Sequence, residues 1–337
     1  MTGHAPEARP LSLAELGWSD FFATQCGPDA AGLVPVRIAT VHRARMSAVG
    51  EAGPIRLELP VHTNTGDYTV GDWVLVEPGT HLLRRLLERR SVLARRIEGA
   101  KSPQLAGANI DTLFIVTSCN DDFNVARLER YLALANESGA EPVILLTKAD
   151  LAADVESYRA QAAALQRGLA VAIVNPREAG AAVVLEPWCG EGRTVALVGS
   201  SGVGKSTLVN ALAGADEGEL QATGGIRARD DKGRHTTTSR SLHAIAGGGW
   251  VIDTPGMRTL HVSDAAAGLE TLFAEIAERA PLCRFRDCTH EHEPGCAVQE
   301  GVREGLITPE RLARWRKLDL ENKAKTPEAR GPKGRRR

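Results

Sequence analysis

The chain has 337 residues, 43% hydrophobic and 25% charged, with a formal net charge of −1 at pH 7. That is an ordinary globular balance with room for two or three domains, and the near-neutral sum leaves a nucleic-acid partner open. No apolar run nears the roughly 18 residues that would suggest a membrane span, and the N-terminus has neither an apolar signal core nor a basic leader. The expectation is therefore a soluble cytoplasmic protein without membrane contact.

Residues 1–33 read as a polar extension punctuated by Pro and Gly, with one short helical pattern in "LSLAELGW" and no visible chemistry. Between 34 and 92 the runs "VPVRIATVHRARMSAV", "IRLELPVHT" and "DWVLVE" are short and β-rich. Their spacing is that of a small all-β module, and a five-stranded OB-like barrel fits. Overlapping its end, residues 81–101 hold six arginines and one lysine against two glutamates. Such a run is either a solvated linker or a contact for a polyanion.

From 93 to 263 buried strands alternate with helices. "DTLFIVTS", "EPVILLTK", "LAVAIVN" and "RTVALVG" are strands, while "NVARLERYLALANES" and "LAADVESYRAQAAALQRG" are helices between them. "KSTLVNALAG" opens a further helix, and "SLHAIAG" and "GWVIDTPG" read as two more strands. Apolar strands alternating with helices imply a mostly parallel sheet with helices on both faces. Residues 264–322 are mostly helical and interrupted by cysteines, and the basic tail 323–337 is expected to be disordered.

The motif Gly199-x4-Gly204-Lys205-Ser206, between a strand and a helix, is a phosphate-binding loop. The backbone from Gly199 through Ser200, Ser201, Gly202, Val203 and Gly204 to Ser206 and Thr207 can turn N–H groups onto phosphate oxygens. Lys205 neutralises the β- and γ-phosphates, and Ser206 offers a hydroxyl to magnesium. Asp253-Thr254-Pro255-Gly256 ends a buried strand, where Asp253 holds magnesium through a water and the Gly256 N–H reaches a γ-phosphate. Between them, residues 224–240 form a polar loop that reads as a nucleotide switch. Thr237, or else Thr236, is the candidate magnesium ligand there.

Residues 147–150, "TKAD", stand at the end of an earlier strand. There Asp150 can accept from guanine N1–H and the N2 amino group, a donor pair adenine lacks, and the Lys148 stem can lie along the base. Asn175 in the next loop is a weaker candidate for a base contact. The order is base loop, phosphate loop, switch and D-x-x-G, which is that of a circularly permuted domain. The chain leaves it just after D-x-x-G, so a nucleotide-driven shift is expected to reach the C-terminal module directly. That module carries Cys283-x4-Cys288-x-His290-x5-Cys296, three thiols and an imidazole suited to one closed, structural zinc site; His292 is the substitute ligand, though its place in the chain favours a solvent-facing side chain. Cys26, Cys119 and Cys189 are isolated and read as packing or inert thiols.

The segments "ANIDTLFIVTSCNDDFNVARLERYLALANESGAEPVILLTKADL", "GSSGVGKSTLVNAL", "GRHTTT", "DTPGMR" and "CRFRDCTHEHEPGCAV" together resemble the RsgA (YjeQ) family, circularly permuted GTPases that depend on the small ribosomal subunit. The likeness runs from about residue 34 to about 320. It implies an OB-fold, a permuted P-loop GTPase domain and a helical zinc domain. It also implies a partner, the small ribosomal subunit and its rRNA, on which GTP is hydrolysed to GDP late in maturation; a monomer is expected.

Two positions depart from the pattern of GTPases. Thr147 replaces the usual Asn, so tethering of the neighbouring loops is expected to differ. Met257 follows Gly256 where Ras-like proteins place a water-orienting Gln, so hydrolysis is expected to be slow unaided, with His235 the candidate to complete the site. RNA contacts are expected through Arg84, Arg85, Arg89, Arg90, Arg95 and Arg96, the barrel face, Arg284 and Arg286. The alternatives are a phosphotransferase using the same loop, or a zinc-containing GTP-dependent regulator that does not act on the ribosome.

Overall fold

The computed structural model describes residues 9–95, 103–178, 180–213, 240–253 and 265–325. His235, Thr236, Thr237, Gly256, Met257, His261, Arg96 and most of the tail lie outside the described residues.

The N-terminal extension is not the inert polar lead its composition suggests. Its α-helix, α1 (Asp20–Ala23), comes after the "LSLAELGW" stretch, which forms turns. Leu16 and Phe22 are fully buried, and the Phe22 and Trp18 rings pack on Trp73 with centroids 5.8 and 4.9 Å away. Burying two such side chains contributes about 2 kcal/mol each, so the extension belongs to the folded unit.

Five strands form the expected barrel: β1 (Val34–Val41), β2 (Met46–Gly50), β3 (Gly53–Arg56), β4 (Trp73–Val76) and β5 (Leu83–Leu86). β1 pairs with both β2 and β4, β2 with β3, and β4 with β5, all antiparallel. Alternation along β1 sends Val36 and Ile38 into the barrel core and turns Arg37 the other way.

As far as Arg95 the basic run is neither a linker nor a free cationic patch. It supplies β5 and then β6 (Val92–Arg95), which forms a hairpin with β7 (Gln104–Ala108). Its described arginines are engaged within the protein: Arg84 with Glu77, Arg85 with Asp29, Arg90 with Asp111, and Arg95 with the Gln104 side chain. Arg89 grips the fully buried Asp72 with two nitrogens at 2.6 and 2.8 Å.

The nucleotide-type domain follows as β8 (Thr112–Ser118), α2 (Val125–Ser138), β9 (Glu141–Thr147), α3 (Val155–Ala163), β10 (Ala170–Ile173), α4 (Ala181–Cys189), β11 (Thr194–Gly199), α5 (Lys205–Ala213), β12 (Ser241–Ala244) and β13 (Trp250–Asp253). Helix α2 starts where the Asn124 side chain accepts the Arg127 N–H and stops at Gly139 in the left-handed conformation. The sheet order is β10-β9-β8-β11-β13-β12, parallel except for β12. Leu113 and Ile115 of β8 face one core cluster and Phe114 and Val116 the other, as a sheet covered on both faces requires. The sequence reading did not foresee α4 or the antiparallel β12.

Barrel and domain share one sheet through a single register pair, Thr40 with Ser241. The joint is reinforced by Arg37, fully buried, which donates to the Leu16 carbonyl at 2.9 Å and the Thr194 hydroxyl at 2.7 Å. Burial lowers its pKa to about 10, which leaves it charged at neutral pH. The Trp250 indole N–H donates to the Glu15 carbonyl at 2.7 Å, so the extension also touches the nucleotide-type domain.

The C-terminal module holds α6 (Ala266–Leu272), α7 (Ala274–Ala277), α8 (Ala297–Arg303) and α9 (Pro309–Lys325). It docks back on α2. A Cβ at Gly268 would meet the Ala133 carbonyl at 2.1 Å, so α6 approaches α2 as closely as only glycine allows. The buried Glu129 of α2 accepts from Arg311 at 2.9 Å and Arg314 at 2.8 Å. Arg311 also donates to Glu275 at 2.7 Å and lies 4.0 Å over the Phe273 ring. The module is therefore held by α2.

Candidate functional site

Ligands of open parallel sheets sit at the C-terminal ends of the strands. Here those ends carry residues that the sequence singles out, on β10, β9, β11 and β13 of one sheet despite their separation in the chain. β11 delivers the loop 199–204. Gly199 has φ 142°, and a Cβ there would meet the Val116 carbonyl at 2.2 Å. Gly204 has φ 98°, and its open side faces Pro176 and Thr147, 3.2 and 3.9 Å from where a Cβ would be. Helix α5 begins at Lys205, whose ammonium donates to the Gly199 carbonyl at 2.8 Å and to the Ser200 carbonyl. Ser201, Gly202, Ser206 and Thr207 are exposed, and Val203 is buried beneath the loop.

One strand lies between β11 and β9, which carries the base-loop candidate. Thr147 is fully buried. Its carbonyl accepts the Cys119 N–H at 2.9 Å, and its hydroxyl lies 2.8 Å from the Val203 carbonyl and 3.1 Å from the Thr117 carbonyl. Lys148 is left-handed, with φ 55°, unusual outside glycine. The turn sets Asp150 in the open, without a hydrogen-bond partner among the described residues. Asn175 is turned inward on its own loop, its amide donating to Glu178 at 2.8 Å and its oxygen accepting the Arg177 N–H at 3.2 Å. That loop nevertheless reaches the phosphate loop through Pro176. Asp253 ends β13 opposite Ser241, next to β11.

A second site forms in the C-terminal module. One ligand atom from each of Cys283, Cys288, His290 and Cys296 lies within 4.8 Å of all the others. His290 Nδ1 is 3.5 Å from Cys283 Sγ and 3.4 Å from Cys296 Sγ, and those sulfurs are 3.8 Å apart. A tetrahedral ion with metal–sulfur bonds of about 2.3 Å would have edges of about 3.8 Å, so the cluster fits such an ion. His292 is exposed and outside the cluster.

The sequence did not reveal what supports this loop. His290 is left-handed at φ 61°. Glu293 accepts the Thr289 hydroxyl and the N–H groups of Thr289, Glu291 and His292, and the bonds from Thr289, its hydroxyl first, hold the carboxyl far below the usual range. The His290 carbonyl accepts from Gln299 at 2.6 Å and from Arg316.

The family model described as RsgA GTPase matches residues 86–263. A protein of Mesorhizobium japonicum named small ribosomal subunit biogenesis GTPase RsgA is 66% identical over 330 residues, covering 98% of this chain and 95% of its own. Among solved structures, YjeQ from Thermotoga maritima aligns with a TM-score of 0.63 at 24% identity, covering 86% of this chain and 98% of its own. YloQ, described as a circularly permuted GTPase, aligns at 0.61 and 24%, covering 90% and 99%. The permuted order, the paired loops at one sheet edge and these relatives lead to one conclusion: the chain belongs to the RsgA family of GTPases.

Proposed function

We propose that this chain hydrolyses GTP on the small ribosomal subunit during its maturation, with the subunit stimulating turnover, and that it does so as a cytoplasmic monomer. The observation that carries the nucleotide part is the contact between Thr147 and Val203, which joins the candidate base loop to the phosphate loop. Asp150 selects guanine, with the Lys148 stem along the base. Backbone N–H groups of 199–207 hold the phosphates and Lys205 neutralises them. Magnesium, bound by Ser206, by Thr237 and by Asp253 through water, would supply charge neutralisation between the phosphates. Gly256 reaches the γ-phosphate and His235 assists the attacking water. Zinc is the ion for Cys283, Cys288, His290 and Cys296, with a structural role; neither an exchangeable metal nor a phosphotransferase acceptor pocket is supported by a specific observation.

The ribosomal part rests on the name carried by the Mesorhizobium japonicum relative and on where cations are left over. Arg43, Arg45 and Arg56 on the barrel and Arg284 and Arg286 beside the cysteines are exposed and form no ion pair among the described residues. The arginines of the run 81–95 serve the fold first.

Asp150→Asn should weaken GTP and GDP about 10- to 100-fold, the worth of hydrogen bonds to a charged acceptor. Lys205→Ala should abolish tight binding of both nucleotides. Equal affinity of the unaltered protein for ATP and GTP would refute the assignment of Asp150. Sedimentation with small subunits should weaken steeply between 50 and 200 mM salt, as phosphate contacts require. Binding that ignores salt would count against the RNA face.

A further inference from the structure

The histidine of the cysteine cluster sits in a backbone conformation that needs support. His290 has φ 61°, which crowds any residue that carries a Cβ. That turn brings its Nδ1 to 3.5 Å from Cys283 Sγ and 3.4 Å from Cys296 Sγ. Two side chains from different helices converge on its carbonyl. Gln299 of α8 donates at 2.6 Å and also reaches the Glu291 carbonyl at 3.0 Å. Arg316 of α9 donates from Nη2. The neighbouring Trp315 lies against the imidazole, with ring centroids 5.4 Å apart.

Arg316 is placed unlike an ordinary surface arginine. It is half-buried, its Nε is buried without a partner, and it forms no ion pair among the described residues. A guanidinium withdrawn from water calls for a compensating anion. A filled cluster supplies one, because the thiolates of Cys283, Cys288 and Cys296 outweigh a divalent ion by one negative charge. The same helix also seats the module. Before Arg316, Arg311 and Arg314 donate to Glu129 of α2, and beyond it Glu321 accepts from Arg130 of α2 at 2.8 Å.

We infer that Arg316 is a positioning residue for the metal site: by holding the His290 turn through its carbonyl, it links filling of the cluster to the seating of α9 on α2. The hydrogen bond aims the imidazole, and the cation offsets the charge that the filled cluster gains. Whatever favours the filled cluster then favours α9 in its place, and the reverse. The inference rests on the reading of the four residues as a metal site.

The test starts from the full chain stripped of metal, with Arg316→Met and Arg316→Lys beside it. Methionine keeps an apolar stem and removes donor and charge; lysine keeps both. Competition with a chromophoric chelator should show Zn(II) bound about tenfold more weakly by Arg316→Met, the scale of a lost support to a ligand. Arg316→Lys should stay within about threefold of the unaltered protein. Co(II) reports the ligand set directly. Its visible absorption should lose intensity in Arg316→Met, as His290 leaves the tetrahedron, and regain it in Arg316→Lys. Hydrogen exchange read by mass spectrometry tests the link to α9. Zn(II) should slow exchange across 309–325 in the unaltered protein and much less in Arg316→Met, while β8 and β9 exchange alike in both, which shows that the variant is folded. The inference is overturned if Arg316→Met binds Zn(II) as tightly as the unaltered protein, if its Co(II) spectrum is unchanged, if Arg316→Lys loses as much as Arg316→Met, or if Zn(II) slows exchange across 309–325 equally in all three. An unaltered protein that binds neither ion would refute the metal reading itself, a result that no difference between variants can imitate.

Discussion

At the scale of single residues, burial and partners decide which groups are chemically available. Cys26 is exposed, whereas Cys119 and Cys189 are buried, and burial raises both thiols, Cys189 to about 12. A thiol raised by desolvation holds little thiolate at neutral pH and reacts slowly. With metal loaded, alkylation should therefore modify Cys26 rapidly and no other cysteine. Chelation should add Cys283, Cys288 and Cys296 and leave Cys119 and Cys189 slow; mass spectrometry of the labelled peptides reads both outcomes. Rapid labelling of the cluster before chelation would contradict a closed metal site. The cluster itself was legible in the sequence, because the ligand types and their spacing are the chemistry. Its supports were not, since Glu293 and Arg316 act through where the loop folds. Thr147 is the intermediate case: the departure was visible, but its resolution lay in a carbonyl 56 residues further along.

At the scale of elements, the sequence told more about strands and helices than about what joins them. The run of β8, β9, β10 and β11 with α2, α3 and α5 followed from apolar periodicity, which both-sided burial enforces. The arginines of 81–95 misled because a charged strand edge and a solvated linker have the same composition; only the carboxylates of Asp29, Asp72, Glu77 and Asp111, brought from elsewhere, distinguish them. The same holds for the C-terminal module. Arg311 satisfies the buried Glu129, Glu275 and the Leu272 carbonyl at once. Arg311→Ala should cost about 2 kcal/mol in chemical denaturation, because it removes one of the two cations on a buried carboxylate and leaves Arg314 as the other. Arg167→Ala, which breaks the exposed pair with Glu278, should cost under about 1 kcal/mol. Equal effects of the two would mean that the module is not clamped to α2 through this network.

At the scale of the whole molecule, the permutation sets what can move with what. Base loop, phosphate loop and Asp253 share one sheet edge, and Ser241 joins that sheet to the barrel through Thr40. The N-terminal extension, Arg37 and Trp250 close the same joint from the other side. The barrel, the nucleotide-type domain and the cysteine module are thus each fixed to the sheet or to α2. The most direct test is GTP turnover by the full chain at saturating GTP, with and without purified small ribosomal subunits. Slow turnover alone and a rise of at least about tenfold on adding subunits, a lowering of the barrier by about 1.4 kcal/mol or more, is the predicted result. Turnover that does not change with subunits at any concentration would contradict it.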